Sequence, residues 1–125
     1  MTDKDKAGKI LLVEDDPRSR FMMHEALTDA GFKVDNSIHG RDALKKVGSS
    51  FYDLVITDVN MPLLNGFEFY RQAVASDPSF KERFLFISGE PPRQAGDRLI
   101  SEDRLMLKPF GMAELIESVK TLMRR

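Results

Sequence analysis

Short apolar runs alternating with segments of helical periodicity constrain this chain more than any other feature. "KILLV", "FKVDNS", "DLVITD", "RFLFIS" and "RLML" read as strands. Four helical segments follow the first, second, third and fifth: "PRSRFMMHEALTDAG", "GRDALKKVGS", "GFEFYRQAVAS" and "GMAELIESVKTLMR". The first helix has Asp16 as N-cap, Pro17 in its first turn and Gly31 as its stop. The second is expected to bury Ala43, Leu44 and Val47; the third sets Phe67, Tyr70 and Val74 at helical spacing. Met112, Leu115, Ile116, Val119 and Leu122 give the last helix the cleanest amphipathic stripe. "GEPPRQAGDRLISED" should hold a loop and a short or distorted fourth helix, because Pro91, Pro92 and Gly96 oppose a long one.

A β-α unit repeated about five times implies an α/β fold: a parallel sheet with helices on both faces. Right-handed crossovers put every strand C-terminus on one edge, and ligand sites form there, where the strand order reverses. The residues at or just after the strand ends are Glu14, Asp15 and Asp16, then Asp58 and Asn60, then Ser88, Gly89 and Glu90, then Lys108 and Pro109. In "YDLVITDVNMPLLNG" a buried strand runs straight into Asp58, with a loop signal immediately after it. A bare buried carboxylate is costly, so Asp58 must be solvated or partnered, and the polar crevice provides for that.

Composition narrows the choices. The 125 residues are enough for one domain with a real core. A net charge of −1 gives no nucleic-acid or membrane signature. With no cysteine, thiol catalysis, disulfides and thiolate metal sites are excluded. The longest apolar runs fall far short of the roughly 20 residues needed to cross a bilayer. "MTDKDKAGK" lacks the apolar core of a signal peptide, so residues 1–8 read as a flexible tail, residues 9–125 as the domain, and the cytoplasm as the compartment.

Clustered acids, a hydroxyl and a lysine define a chemistry. Close carboxylates repel unless a cation joins them, and an all-oxygen set suits Mg2+. A carboxylate beside Mg2+ can attack a phosphoryl group and become an acyl phosphate. The three phosphoryl oxygens then need partners: the metal, the Lys108 ammonium and the Ser88 hydroxyl.

At these residues the sequence resembles the receiver domain of two-component response regulators. The resemblance runs from about Lys9 to Met123 and rests on "LLVEDDP", "DLVITDVNMPLLNG", "FLFISG" and "LKPF", in that order. It implies a flavodoxin-like sheet of strand order 2-1-3-4-5. Asp58 would be the phosphoacceptor, and Ser88 and Lys108 would bind the phosphoryl oxygens. Mg2+ would be held by Asp15 and Asp58, by Glu14 mostly through water, and by the backbone carbonyl of Asn60. Gly89, Glu90, Leu105 and Pro109 occupy modulating positions, Glu90 and Asn60 flanking the phosphoryl group. The implied partners are a sensor histidine kinase or histidine phosphotransfer protein and a downstream effector. Neither direct nucleic-acid binding nor a membrane is expected. The Lys108-Pro109 bond is expected to be cis.

Three departures from the family pattern stand out, the poor fourth helix among them. Ser88 replaces the usual threonine but keeps the hydroxyl, and Leu105 stands where an aromatic switch residue is usual. His24 reads as an exposed residue of the first helix and His39 as a loop residue without signal; Met22 and Met23 read as core. Three other classes compete with the receiver reading. A haloacid-dehalogenase-like phosphatase would need a second Asp where Asn60 stands. A phosphorylation-independent receiver-like interaction module would have no use for Asp15, Asp58 and Lys108 together. A flavodoxin-like cofactor carrier would find the acidic "EDDP" repelling its phosphate.

Overall fold

The computed structural model describes residues 8–90 and 102–124. Strands β1 (Lys9–Val13), β2 (Lys33–Ser37), β3 (Leu54–Asp58), β4 (Phe84–Ser88) and β5 (Leu105–Leu107) form one sheet. Every pairing is parallel, in the order β2-β1-β3-β4-β5. Helices α1 (Pro17–Asp29), α2 (Gly40–Ser49), α3 (Gly66–Ser76) and α4 (Met112–Met123) cover it. Short turns of 3-10 helix precede β4 and β5. The segment around Pro91, Pro92 and Gly96, where a short or distorted helix was expected, lies outside the described residues, as do residues 1–7 of the expected tail. Gly8 is buried and its carbonyl accepts from Lys33 N at 3.0 Å, so the packed body takes in one residue of that tail.

The period-two alternation of the strands sorts the core into two layers. Ile10, Leu12, Leu54, Ile56, Leu85 and Ile87 face α1 and α4, meeting Met23, Leu27, Leu115 and Val119. Leu11, Val13, Val55, Phe84 and Phe86 face α2 and α3, meeting Ala43, Phe69 and Ala73. Both faces are covered, which is why β1, β3 and β4 are nearly continuous in apolar residues. Phe84 and Phe86 stack on each other at 5.6 Å, and the Tyr70 ring packs edge-on against both. Truncating a fully buried side chain such as Leu85 would cost about 2–5 kcal/mol.

On α3 Phe67, Tyr70 and Val74 share a half-buried face as their spacing implies, and the fully buried positions are Gly66, Phe69 and Ala73. Several local expectations need correction. On α2 only Ala43 of the expected apolar trio is fully buried. Met23 is core but Met22 is exposed. His39 is the N-cap of α2, its Nδ1 accepting from Asp42 N at 3.1 Å. His24 is half-buried, with Nδ1 3.0 Å from Asn36 Nδ2. No helix among the described residues is long and apolar enough to cross a membrane.

Candidate functional site

The strand ends lie flush along one edge. Val13 pairs with Thr57, Asp58 with Ile87, and Ser88 with Leu107, so the residues that end these strands or follow them are neighbours. Val59 N bonds Ile87 O at 2.8 Å, and Lys108 N bonds Ser88 O at 2.8 Å, carrying the ladder one step past the strands. The chain leaves β1 toward β2 on one side and places β3 on the other, so the sheet's switch point falls between Glu14 and Asp58.

The loops are built to hold these ends. Glu14 N bonds Ser37 O at 3.0 Å, and Asp16 caps α1 by accepting from Ser19 N at 2.9 Å. Past β3, Gly66 comes so close that a Cβ there would stand 2.5 Å from the Asp58 carbonyl oxygen. Only glycine permits that approach. Asn65 then starts α3 by accepting from Glu68 N at 2.9 Å. The Lys108-Pro109 peptide is cis.

Glu14, Asp15 and Asp58 each offer a carboxylate oxygen, and all three oxygens lie within 4.8 Å of one another. Glu14 is 1% exposed and Asp58 is 5% exposed, while Asp15 is open to solvent. Lys108 Nζ donates to Asp58 Oδ2 at 2.9 Å and stands 3.6 Å from Glu14 Oε1, too far for a hydrogen bond. Asn60 N donates to the other Asp58 oxygen at 3.0 Å, and Asp16 N to Glu14 Oε2 at 3.1 Å. That leaves Glu14 Oε1 buried without a hydrogen-bond partner.

Electrostatics follow from this crowding. Burial is the main cause that pushes the Glu14 carboxyl up to about 7, and the Asp58 charge adds to it; the Asp16 amide and Lys108 pull the other way. Burial works against the Lys108 ammonium, yet its hydrogen bond and charge pairing with Asp58, helped by Glu14, leave its pKa raised.

The structure thus brings Glu14, Asp15, Asp58 and Lys108 together. Ser88 is 7% exposed, and its hydroxyl turns onto the next loop, donating to Glu90 O at 2.8 Å and accepting from Glu90 N at 3.1 Å. Gly89, Glu90, Asn60 and Pro109 are exposed around the rim. Leu105 is half-buried opposite Phe86 and packs into the α2–α3 layer. Arg20 is the neighbour that sequence reasoning passed over: its Nη1 donates to Glu14 O at 2.9 Å and to Asp15 O at 3.4 Å. A long cation in the first turn of a helix leans back toward the preceding strand end, and that was the available signal.

Residues 10–120 match the response regulator receiver domain family. The chain belongs to that family. Over 117 residues this receiver domain is 33% identical to the probable transcriptional regulatory protein SilR of Salmonella typhimurium and 31% identical to the transcriptional regulatory protein CusR of Escherichia coli. Those alignments cover 94% of this chain but 51% and 52% of theirs, so it spans about half the length of these curated relatives. Among solved structures it is similar to the chemotaxis response regulator CheY4 of Vibrio cholerae, at 30% identity and a TM-score of 0.82, covering 93% of this chain and 98% of that one. It is also similar to the response regulator TrrA of Thermotoga maritima in complex with Mg(2+)-BeF, at 30% identity and a TM-score of 0.80, covering 92% and 98%. Receiver domains of this family act in two-component signalling, and the sheet order and helix placement agree with that kinship.

Proposed function

We propose that this receiver domain takes a phosphoryl group onto Asp58 from a phosphohistidine on a sensor kinase or a histidine phosphotransfer protein. The observation that carries the reading is the set of three carboxylate oxygens within 4.8 Å of one another, with the Lys108 ammonium on Asp58 Oδ2. The residues present fit Mg2+: every donor is a hard oxygen, and the orphaned Glu14 Oε1 gains a partner if a cation enters. Asp15, Asp58 and the Asn60 carbonyl would hold the ion, with Glu14 acting mostly through water. When bound, Mg2+ supplies neutralisation of carboxylate charge and of charge on one phosphoryl oxygen.

The chain's own residues do the rest. One Asp58 oxygen attacks phosphorus as the P–N bond to the donor imidazole breaks; the imidazole leaves with that electron pair and keeps its ring proton. The other Asp58 oxygen stays oriented by the Asn60 amide. Lys108 moves from the carboxylate to a phosphoryl oxygen, and the Ser88 hydroxyl donates to another. Later a water attacks phosphorus and the Asp58 oxygen leaves, releasing inorganic phosphate. Glu90 and Asn60, at the rim, control access of that water, and Leu105 and Pro109 shape how the change is passed on. A population shift at the loops is then read by an effector. SilR and CusR are named as transcriptional regulators about twice as long, so an effector acting on transcription is the output we favour. The cytoplasm is the compartment that joins such an output to a histidine kinase.

Incubation with phosphoramidate or acetyl phosphate and Mg2+ should add one phosphoryl group, labile to hydroxylamine. Asp58→Asn and chelation should each abolish it. Incorporation that survives Asp58→Asn, or maps to His24, overturns the assignment.

A further inference from the structure

Two arginines, Arg18 and Arg20, stand in the first turn of α1, which holds no acidic residue. A cation there opposes the helix dipole, whose positive end is at the N-terminus. Arg20 must therefore have partners that offset the cost. It has two: one guanidinium nitrogen, carrying two hydrogens, reaches both Glu14 O and Asp15 O. Both are backbone atoms of the residues whose carboxylates face Asp58. Arg20 N is itself fixed on Asp16 O at 2.9 Å, and Asp16 N in turn holds Glu14 Oε2. The turn from β1 into α1 is thus tied from the helix side through two of its carbonyls.

We infer that Arg20 is a positioning residue for the cation site: by fixing the Glu14 and Asp15 carbonyls it presets the direction of their carboxylates. This rests on the reading of Glu14, Asp15 and Asp58 as the Mg2+ site. Partners that hold a ligating side chain directly typically govern metal affinity by about 10–100-fold. Arg20 acts on the backbone behind the ligands and belongs at the lower end; an unheld ligand must still be ordered when an ion binds. The charge of Arg20 acts in the opposite sense, since a cation against the same loop repels Mg2+. The sign of the change on removing it separates the two roles.

The test measures Mg2+ affinity by titration calorimetry, and metal-free thermal stability, for wild type, Arg20→Gln and Arg20→Lys. Positioning predicts affinity lowered about 10-fold in Arg20→Gln. Arg20→Lys keeps the charge and a hydrogen-bond donor on a shorter chain, so it should restore part of that loss. Affinity that rises when the charge is removed shows Arg20 acting only through its field and overturns the inference. Affinity unchanged while the melting temperature falls shows a purely structural tie and also overturns it. If Arg20→Gln does not fold, Arg20→Met, which keeps the bulk but neither the charge nor the donor, takes its place and is read by the same outcomes. Failure of the underlying reading is seen separately, as wild type taking up no Mg2+ or Asp15→Asn binding it as tightly.

Discussion

Lys108 donates to Asp58 Oδ2 at 2.9 Å across 50 residues of sequence and stands 3.6 Å from Glu14 Oε1. One ammonium thus serves two buried carboxylates at the switch point of the sheet. Lys108→Gln leaves those charges facing each other. Breaking a fully buried pair costs about 3–5 kcal/mol, and with the lysine side chain 38% exposed we expect about 1–2 kcal/mol. Mg2+ should recover more stability in the variant than in wild type, because it no longer competes with the ammonium. Denaturant unfolding with chelator and with Mg2+ measures both. An equal response to Mg2+ in the two proteins would show that Lys108 does not hold the carboxylates together.

Glu14 gives the metal-free protein a pH dependence of definite sign. Its carboxyl rises from 4.5 unfolded to about 7 folded, chiefly through burial. The folded state therefore binds the proton more tightly between those values, and stability falls as pH rises through that window. The full penalty stands above pH 7, on the order of 3 kcal/mol. Glu14→Gln removes the titrating group. With chelator present, the variant should be the more stable protein at pH 8, and its advantage should shrink steadily toward pH 4.5. Melting curves across that range decide it; parallel pH profiles for the two proteins would mean that the Glu14 proton is not linked to folding.

Much of this arrangement is legible in the sequence, for reasons that also mark the limit. Strands covered on both faces must be apolar throughout, so "KILLV" and "RFLFIS" announce themselves and their C-terminal neighbours fall on one edge. That topology puts Glu14, Asp15, Asp58, Ser88 and Lys108 among the residues at the edge, and their chemistry and the family resemblance single them out. The inner face of α3 is not singled out in this way, because Phe67, Tyr70 and Val74 form as good an apolar stripe as Phe69 and Ala73. Only packing against Phe84 and Phe86 chooses between them. His39 hides as a cap because imidazole is an unusual acceptor at that position. Arg20 is easily passed over because its partners are backbone carbonyls; only its place in the first turn of a helix hints at them.

Two glycines should respond to alanine in opposite directions. At Gly66 the new Cβ would lie 2.5 Å from Asp58 O and 2.9 Å from Val59 Cα, both backbone atoms with no free rotation to yield. Gly66→Ala should destabilise by about 1–3 kcal/mol and slow phosphoryl uptake, since the displaced segment carries Asp58. At Gly48, inside α2, a Cβ meets nothing within 4 Å. Gly48→Ala should stabilise by about 0.5–1 kcal/mol and leave uptake unchanged. Denaturant unfolding paired with acetyl phosphate labelling tests both. Gly66→Ala with wild-type stability would mean that the β3–α3 loop is not closed on Asp58 as described.

The last prediction concerns how the site speaks to its surroundings. The Ser88 hydroxyl has one proton, and it is given to Glu90 O at 2.8 Å, while the same oxygen accepts from Glu90 N. If Ser88 donates to a phosphoryl oxygen on Asp58, Glu90 O must lose that donor, and the turn at Gly89 must open. Leu105 bears no hydroxyl or ring to compete for this movement, so the turn is where the change begins. Beryllofluoride with Mg2+, as a stable phosphoryl mimic, should change the amide chemical shift and exchange rate of Glu90 more than those of Val119 in α4. Ser88→Thr should keep this response. Ser88→Ala should lose it while still binding the mimic, more weakly, through Lys108. Leu105→Tyr should leave uptake on Asp58 unchanged, since position 105 offers no ligand to the phosphoryl group. A Glu90 amide that ignores the mimic in wild type, or responds equally in Ser88→Ala, would place the first movement somewhere other than the Ser88 turn.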